Sequence, residues 1–196
     1  MENCTKPAPS PSDYRKLMRR TRRALSDRQR HQAAQAAMRQ LIKLDDLLPK
    51  GANIGFYLAG FGELPTDGIV SFCQRRGHQA YLPITTSEQP LSFAPIYGKL
   101  NQTPLKKHRL GMYEPVTKPI IAAAQMDAII CPVVAVDMTG VRLGMGGGYY
   151  DRTFARTTDC LKVAWCYDFQ IVPNLPRQPW DMAVDIIISD QRFIRR

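Results

Sequence analysis

Apolar and polar positions along this chain switch between a helical and a strand period, and the switches lay out a series of elements. Tyr14, Leu17, Met18, Thr21 and Leu25 fall on one face at three-to-four spacing, which predicts a helix from Asp13. Ser26, followed three residues later by Gln29, reads as a capping box opening a second, alanine-rich helix that stops before Pro49-Lys50-Gly51. Ile54–Leu58 reads as a strand. It leads through Gly60-Phe61-Gly62-Glu63-Leu64-Pro65-Thr66 to a helix capped by Thr66 or Asp67 and ended at Gly77. Ala80–Leu82 and Leu91–Ala94 are further strands, residues 97–118 give no clear period with Gly111–Pro115 as loop, and Ala122–Met126 reads as a short helix.

The next stretch organises the rest. From Asp127 an apolar, β-branched run continues to Asp137, the chain turns at Gly140, and four of the five positions 144–148 are glycine (Gly144, Gly146, Gly147, Gly148) before a predicted helix from Tyr149 to about Arg156. Val163–Tyr167 and Val184–Ser189 are the last strands, separated by a connection punctuated by Pro173, Pro176 and Pro179. Strands alternating with helices imply an α/β fold, Rossmann-like and three-layered (α/β/α), with a mostly parallel central sheet. Residues 1–12, with Pro7, Pro9 and Pro11, read as a flexible tail before a single domain spanning 13–196.

In such sheets ligands gather beyond the strand C-terminal ends. Glu63, the glycine loop and Asp168 all follow strands and are placed to share one cleft. Backbone N–H groups at a helix start lack internal partners and carry partial positive charge, so a strand, a glycine turn and a helix start form an anion site. Neither nucleotide motif fits: Gly-Lys-Ser/Thr is absent, and Tyr149 stands where the dinucleotide fingerprint needs glycine.

Charge sharpens this picture. The 196 residues carry a net +10, of which residues 1–32 hold +6 through nine Lys/Arg against three Asp/Glu. Arg15, Arg19 and Arg22 share one helical stripe and Lys16, Arg20 and Arg23 another. These arginines are a solvated face, a phosphate clamp or a nucleic-acid surface, though few aromatics interleave for stacking on single strands. Asp151, in the first turn after the glycines, either favours the helix dipole or holds Mg²⁺ beside bound phosphates, with Asp181 as a second carboxylate. Glu63 is a solvated loop residue or a ligand contact. Tyr149 and Tyr150 are core aromatics or a stacking surface for a ring-shaped substrate.

No nucleophile motif is visible around His31, His78 or His108, so any chemistry rests on positioning and charge, as in phosphoryl transfer. Five cysteines (Cys4, Cys73, Cys131, Cys160, Cys166) form no C-x-x-C and, being odd in number, argue against a disulfide framework. With no long apolar run and no signal-peptide pattern, the expected location is the cytoplasm.

Arg142-Leu143-Gly144-Met145-Gly146-Gly147-Gly148-Tyr149-Tyr150-Asp151-Arg152 closely resembles the signature of the 5-formyltetrahydrofolate cyclo-ligase (5,10-methenyltetrahydrofolate synthetase) family. The resemblance extends over roughly residues 13–190. Arg15–Ser26 is similar to the family's basic first helix, Gly62–Thr66 to its substrate loop, Glu114-Pro115 to its mid-chain loop and Asp127–Asp137 to its central strand. Gln170, Pro176, Trp180-Asp181 and Asp185 match its C-terminal pattern.

The resemblance implies ATP- and Mg²⁺-dependent closure of 5-formyltetrahydrofolate to 5,10-methenyltetrahydrofolate, with ATP phosphorylating the formyl oxygen and N10 attacking the activated carbon. By position it puts Arg15, Arg19 and Met145–Tyr149 (Gly146, Gly147 and Gly148 among them) on ATP, and Arg142 and Tyr149 at the reacting groups. Leu58, Glu63 and Tyr150 fall on the folate, and Asp151 and Asp181 on Mg²⁺. It also implies small-molecule substrates only, no nucleic acid or membrane partner, and a monomer.

Three departures stand out. Pro11 occupies a position where the family often has lysine, with Lys6 or Lys16 as replacements. Met145 and Gly147 stand where many members carry Lys or Arg, which leaves phosphate charge to Arg15, Arg19, Arg142 or Arg152. Leu110 and Met112 lie near the place of a family tryptophan. A non-catalytic folate-binding relative and a basic RNA-binding protein are the alternative readings.

Overall fold

A computed structural model describes residues 9–108 and 111–196; Cys4, Lys6, Leu110 and most of the proposed tail therefore lie outside the described residues. The chain opens with α1 (Pro11–Ala24) and α2 (Asp27–Asp45), followed by β1 (Asn53–Gly55), α3 (Asp67–Arg76), β2 (Gln79–Ile84) and β3 (Ser92–Pro95). A hairpin of β4 (Leu105–Lys107) and β5 (Tyr113–Pro115) comes next, then β6 (Ile121–Ala122) and β7 (Ala128–Pro132). β8 (Ala135–Asp137) and β9 (Arg142–Leu143) lead to α4 (Tyr149–Phe154), β10 (Leu161–Trp165), β11 (Ile171–Val172), β12 (Ile186–Ile188) and β13 (Phe193–Arg195).

Eight strands form the main sheet in the order β13-β12-β10-β7-β1-β2-β3-β6. The five central strands are parallel and the outer three antiparallel, as the alternation of strands and helices requires. Along β7 the side chains alternate between two cores. Ile130 joins the layer of α2 and α3 with Leu41, Leu44, Ile69 and Phe72, whereas Ile129 and Cys131 face the other side with Phe93, Phe154 and Ile187. On that second face the helix is the short α4. A third core seats Tyr14 and Met18 of α1 on Val134, Ala135, Val141 and Val172, around a small sheet ordered β11-β8-β9.

From β1 the chain crosses through α3 to β2 on one side, and from β7 it continues to β10 on the other. The order therefore reverses between β1 and β7, the point at whose C-terminal edge open α/β sheets bind their ligands.

Several elements differ from the expectation, each for a physical reason. The apolar run from Asp127 is two strands in two sheets, not one: it breaks at Pro132, and the Gln170 amide holds the break by donating to the Val133 and Val134 carbonyls at 2.8 Å each. α1 begins at Pro11, because Ser10 and Asp13 form a reciprocal cap with proline in the first turn. The cap at Ser26 forms as the sequence indicates. Thr66 precedes α3 without capping it; its hydroxyl donates to the Tyr57 carbonyl at 2.8 Å and accepts from the Ala59 N–H at 3.2 Å.

The stretch expected as loop around Gly111–Pro115 contains strand β5, where the buried Glu114 carboxylate accepts from the Thr85 N–H and hydroxyl. Ala123–Gln125 is a single 3₁₀ turn, and β13 closes the sheet edge beyond the last expected strand.

Candidate active site

The glycine loop lies between β9 and α4 and is clamped at both ends. The Arg142 side chain is buried, and its Nη2 donates to Asp151 Oδ1 at 2.7 Å. The guanidinium also sits 5.1 Å from the Phe154 ring centroid and 6.0 Å from that of Tyr150, a favourable cation–π placement. From the side, Arg15 Nε donates to the Gly144 carbonyl at 3.0 Å, tying α1 to the loop across 129 residues of sequence. Gly146 (φ 102°) and Gly148 (φ 66°) adopt backbone conformations that side chains resist. Gly148 begins α4 with no side-chain cap, so the first N–H groups of that turn are not taken by a capping side chain. Arg152 folds back over the loop, donating to the Gly147 carbonyl at 3.0 Å, with its guanidinium 5.0 Å from the Tyr149 ring centroid.

The opposite wall follows β1. Glu63 Oε2 accepts from the Gly60 N–H at 3.0 Å, and Oε1 lies 3.8 Å from Nη1 of the fully buried Arg22. Burial raises the Glu63 carboxyl above its ordinary value, against the Gly60 hydrogen bond and the Arg22 charge, which both lower it. Phe61, beside it, is exposed and holds a positive φ of 51°. Tyr150 is pushed well above the ordinary phenol value by burial first, then by Cys131 and Glu63, with Arg142 opposing. Glu63 from one wall and Arg142 from the other thus both bear on this phenol, which makes the region between them the candidate site.

Not every expected member is where the sequence placed it. Arg22 belongs to the Glu63 wall, while Arg15 of the same stripe reaches the glycine loop. Arg19 is exposed in a groove along α1 shared with Arg15, Lys16, Arg20 and Arg23. Met145 is exposed at the loop tip, and Leu58 is half-buried against the core beside Tyr57. Asp168 does not join the cleft, because its carboxylate is taken up by Arg192 (2.7 and 2.9 Å) and the Ser189 hydroxyl (2.8 Å), stapling the C-terminal hairpin.

Asp181 precedes Met182, whose N–H reaches Asp151 Oδ1 at 3.4 Å, so the chain at Asp181 passes beside Asp151. Asp181 Oδ2 accepts from the Gln178 N–H at 2.8 Å. Among the described residues no group of three or more His, Cys, Asp or Glu is gathered in a metal-binding cluster. Among the described residues the thiols offer no nucleophile: burial pushes Cys131 up to about 11, Cys73 and Cys160 to about 12, and Cys166 well above its ordinary value.

The fold is that of an α/β protein whose parallel central sheet reverses its strand order between β1 and β7. Residues 8–190 match the model of the 5-formyltetrahydrofolate cyclo-ligase family, and the chain belongs to that family of enzymes. The 5-formyltetrahydrofolate cyclo-ligases of Haemophilus influenzae and Escherichia coli K12 are each 30% identical to it, over 88% and 90% of this chain and 94% and 98% of theirs. The NMR structure of Aquifex aeolicus 5,10-methenyltetrahydrofolate synthetase is similar at a TM-score of 0.80 with 28% identity, covering 94% of this chain and 92% of that one. A Mycoplasma pneumoniae 5,10-methenyltetrahydrofolate synthetase shares the fold (TM-score 0.76, 23% identity, 93% of this chain and 100% of that one). No helix among the described residues is long and apolar enough to cross a membrane.

Proposed function

We propose that this chain catalyses the ATP-dependent closure of 5-formyltetrahydrofolate to 5,10-methenyltetrahydrofolate, releasing ADP and phosphate. The observation that carries the reading is the glycine loop held between Arg142–Asp151 and Arg15, with the same helix α1 bringing Arg22 to Glu63. ATP lies along Met145–Tyr149. The loop's main-chain N–H groups and the guanidinium groups of Arg15, Arg19 and Arg152 meet the phosphate charge that a loop lysine would otherwise carry. The folate enters from the Leu58 and Glu63 side, with Tyr149 and Tyr150 where the two ligands meet.

The formyl oxygen attacks the terminal phosphorus, and ADP leaves with the bridging oxygen's electron pair. N10 then attacks the activated formyl carbon, phosphate departs with its oxygen, and N10 loses its proton. No protein nucleophile is required, and the chain's contribution is alignment and charge stabilisation. Arg142 keeps Asp151 turned toward the loop and carries positive charge within reach of the transferring group.

The donor set suits Mg²⁺. Asp151 bonds to Arg142 and Met182 through Oδ1, and Asp181 to Gln178 through Oδ2, so each has a second oxygen without a partner among the described residues. One or two carboxylates with phosphate oxygens and water is the usual magnesium environment. Bound there, Mg²⁺ would neutralise phosphate charge.

The test follows methenyl-folate absorbance with purified protein, omitting ATP and Mg²⁺ in turn. The reading expects product only with both. Folate binding without ADP release would favour a non-catalytic relative, and polynucleotide affinity with indifference to ATP a nucleic-acid binder.

A further inference from the structure

Tyr57 lies just past the C-terminal end of β1, one residue before Leu58 and six before Glu63, and its side chain is 6% exposed. Its backbone cannot drift, because the Thr66 hydroxyl is bonded to the Tyr57 carbonyl and to the Ala59 N–H. The ring belongs to the core cluster that also holds Trp165 and Tyr167. Yet its hydroxyl is fully buried and has no hydrogen-bond partner among the described residues. A buried, unpaired polar group costs stability that phenylalanine, of the same shape, would not. Its place in the fold gives its surroundings: it stands just past β1, where the chain turns toward Glu63, and in one core cluster with Tyr167, whose hydroxyl donates to the Glu63 carbonyl at 3.3 Å. The charges of Glu63 and Tyr150, the two residues assigned above to the folate, add to burial in raising its phenol. Burial keeps the phenol protonated, so it is a hydrogen-bond donor with nothing to donate to.

We propose that the unpartnered hydroxyl of Tyr57, buried just past the end of β1 where the chain turns toward Glu63, is a specificity group that donates a hydrogen bond to a carbonyl or imine acceptor on the reduced folate ring. This rests on the folate reading of the cleft. A site built around a fixed donor discriminates strongly against ligands that leave the donor unpaired. The proposal also accounts for Thr66, whose hydroxyl is spent on fixing Tyr57 and Ala59 rather than on capping α3.

Tyr57→Phe tests it. The variant removes one oxygen and no packing, so its Tm should equal or exceed that of the parent. Its Kd for 5-formyltetrahydrofolate, measured by titration without ATP, should rise about tenfold. KM for the folate should rise by the same factor, while kcat and KM for ATP stay within about twofold. Tyr57→Phe with parental folate affinity and an unchanged or raised Tm would overturn the proposal and leave the hydroxyl to a buried water. A rise in KM for both substrates together with a fallen Tm would also overturn it, in favour of a packing role. Turnover by the parent chain decides the folate reading separately, whatever the variant does.

Discussion

Arg142 and Asp151 are nine residues apart and joined at 2.7 Å, with the whole glycine loop strung between them. The guanidinium is nearly inaccessible and the carboxylate about one-quarter exposed, so removing either partner is not symmetric. Arg142→Ala leaves a partly buried carboxylate without its partner and the Phe154 and Tyr150 faces without their cation, at a cost of about 3 kcal/mol. Asp151→Asn retains an acceptor and costs about 1 kcal/mol. The double variant should be less destabilised than the sum by at least about 0.5 kcal/mol, read from urea unfolding. Strict additivity would mean that the pair does not act as a clamp.

Asp151→Asn should nonetheless abolish most turnover. Replacing the carboxylate removes the donor proposed for Mg²⁺, and a drop of more than about 100-fold at saturating Mg²⁺ is expected from the loss of several kcal/mol of charge stabilisation. Near-parental turnover under those conditions would take Asp151 out of the metal site.

Arg15→Ala cuts the bond from α1 to the Gly144 carbonyl and removes a cation from the loop's edge. The expected result is a higher KM for ATP with little change in KM for the folate, measured in the absorbance assay. Equal effects on both would point to a general loosening of α1.

Two glycine substitutions separate scaffold from site. At Gly140 (φ 76°) a Cβ would fall on the Val184 carbonyl, part of the backbone that receives the Arg196 side chain. Gly140→Ala should cost more than about 2 kcal/mol and lower Tm, since both backbone strain and a main-chain clash are imposed. At Gly147 φ is ordinary and a Cβ would press only on the movable Tyr149 ring at 3.1–3.2 Å. Gly147→Ala should leave Tm nearly unchanged while raising KM for ATP.

The parallel sheet and the glycine loop were legible in the sequence because their signals are local: apolar runs, a capping pair at Ser26, four glycines in five positions. The break after Pro132 was not, since it depends on Gln170 reaching back 36 and 37 residues to the Val134 and Val133 carbonyls. Nor was the split of one arginine stripe between two walls. Periodicity shows that Arg15 and Arg22 share a face, but only the packing of α1 on β8 and β9 determines what each meets. The Asp168 position misled because following a strand is only a topological address; Arg192, 24 residues later, takes its carboxylate.

That last pair has its own pH signature. Burial pushes the Asp168 carboxyl up, but the hydrogen bonds from Arg192 and Ser189 and the Arg192 charge together hold it below the usual value. A depressed folded-state value means that the stabilisation is present above the ordinary carboxylate range and is lost as pH falls through the depressed value. Asp168→Asn should therefore cost about 1 kcal/mol or less at neutral pH, as befits a pair open to solvent. The gap from the parent should close in strong acid, measured as Tm against pH. A constant gap would assign the effect to the hydrogen bonds alone.

Helix α1 holds the Gly144 carbonyl through Arg15 and stands beside the Glu63 carboxylate through Arg22, seven residues or about 10 Å along one rigid rod. The supports of the two pockets are thus mechanically one piece. Any tilt of that rod is shared by the glycine loop and the Glu63 wall, so on the proposed reading the first ligand to seat itself would set the posture met by the second.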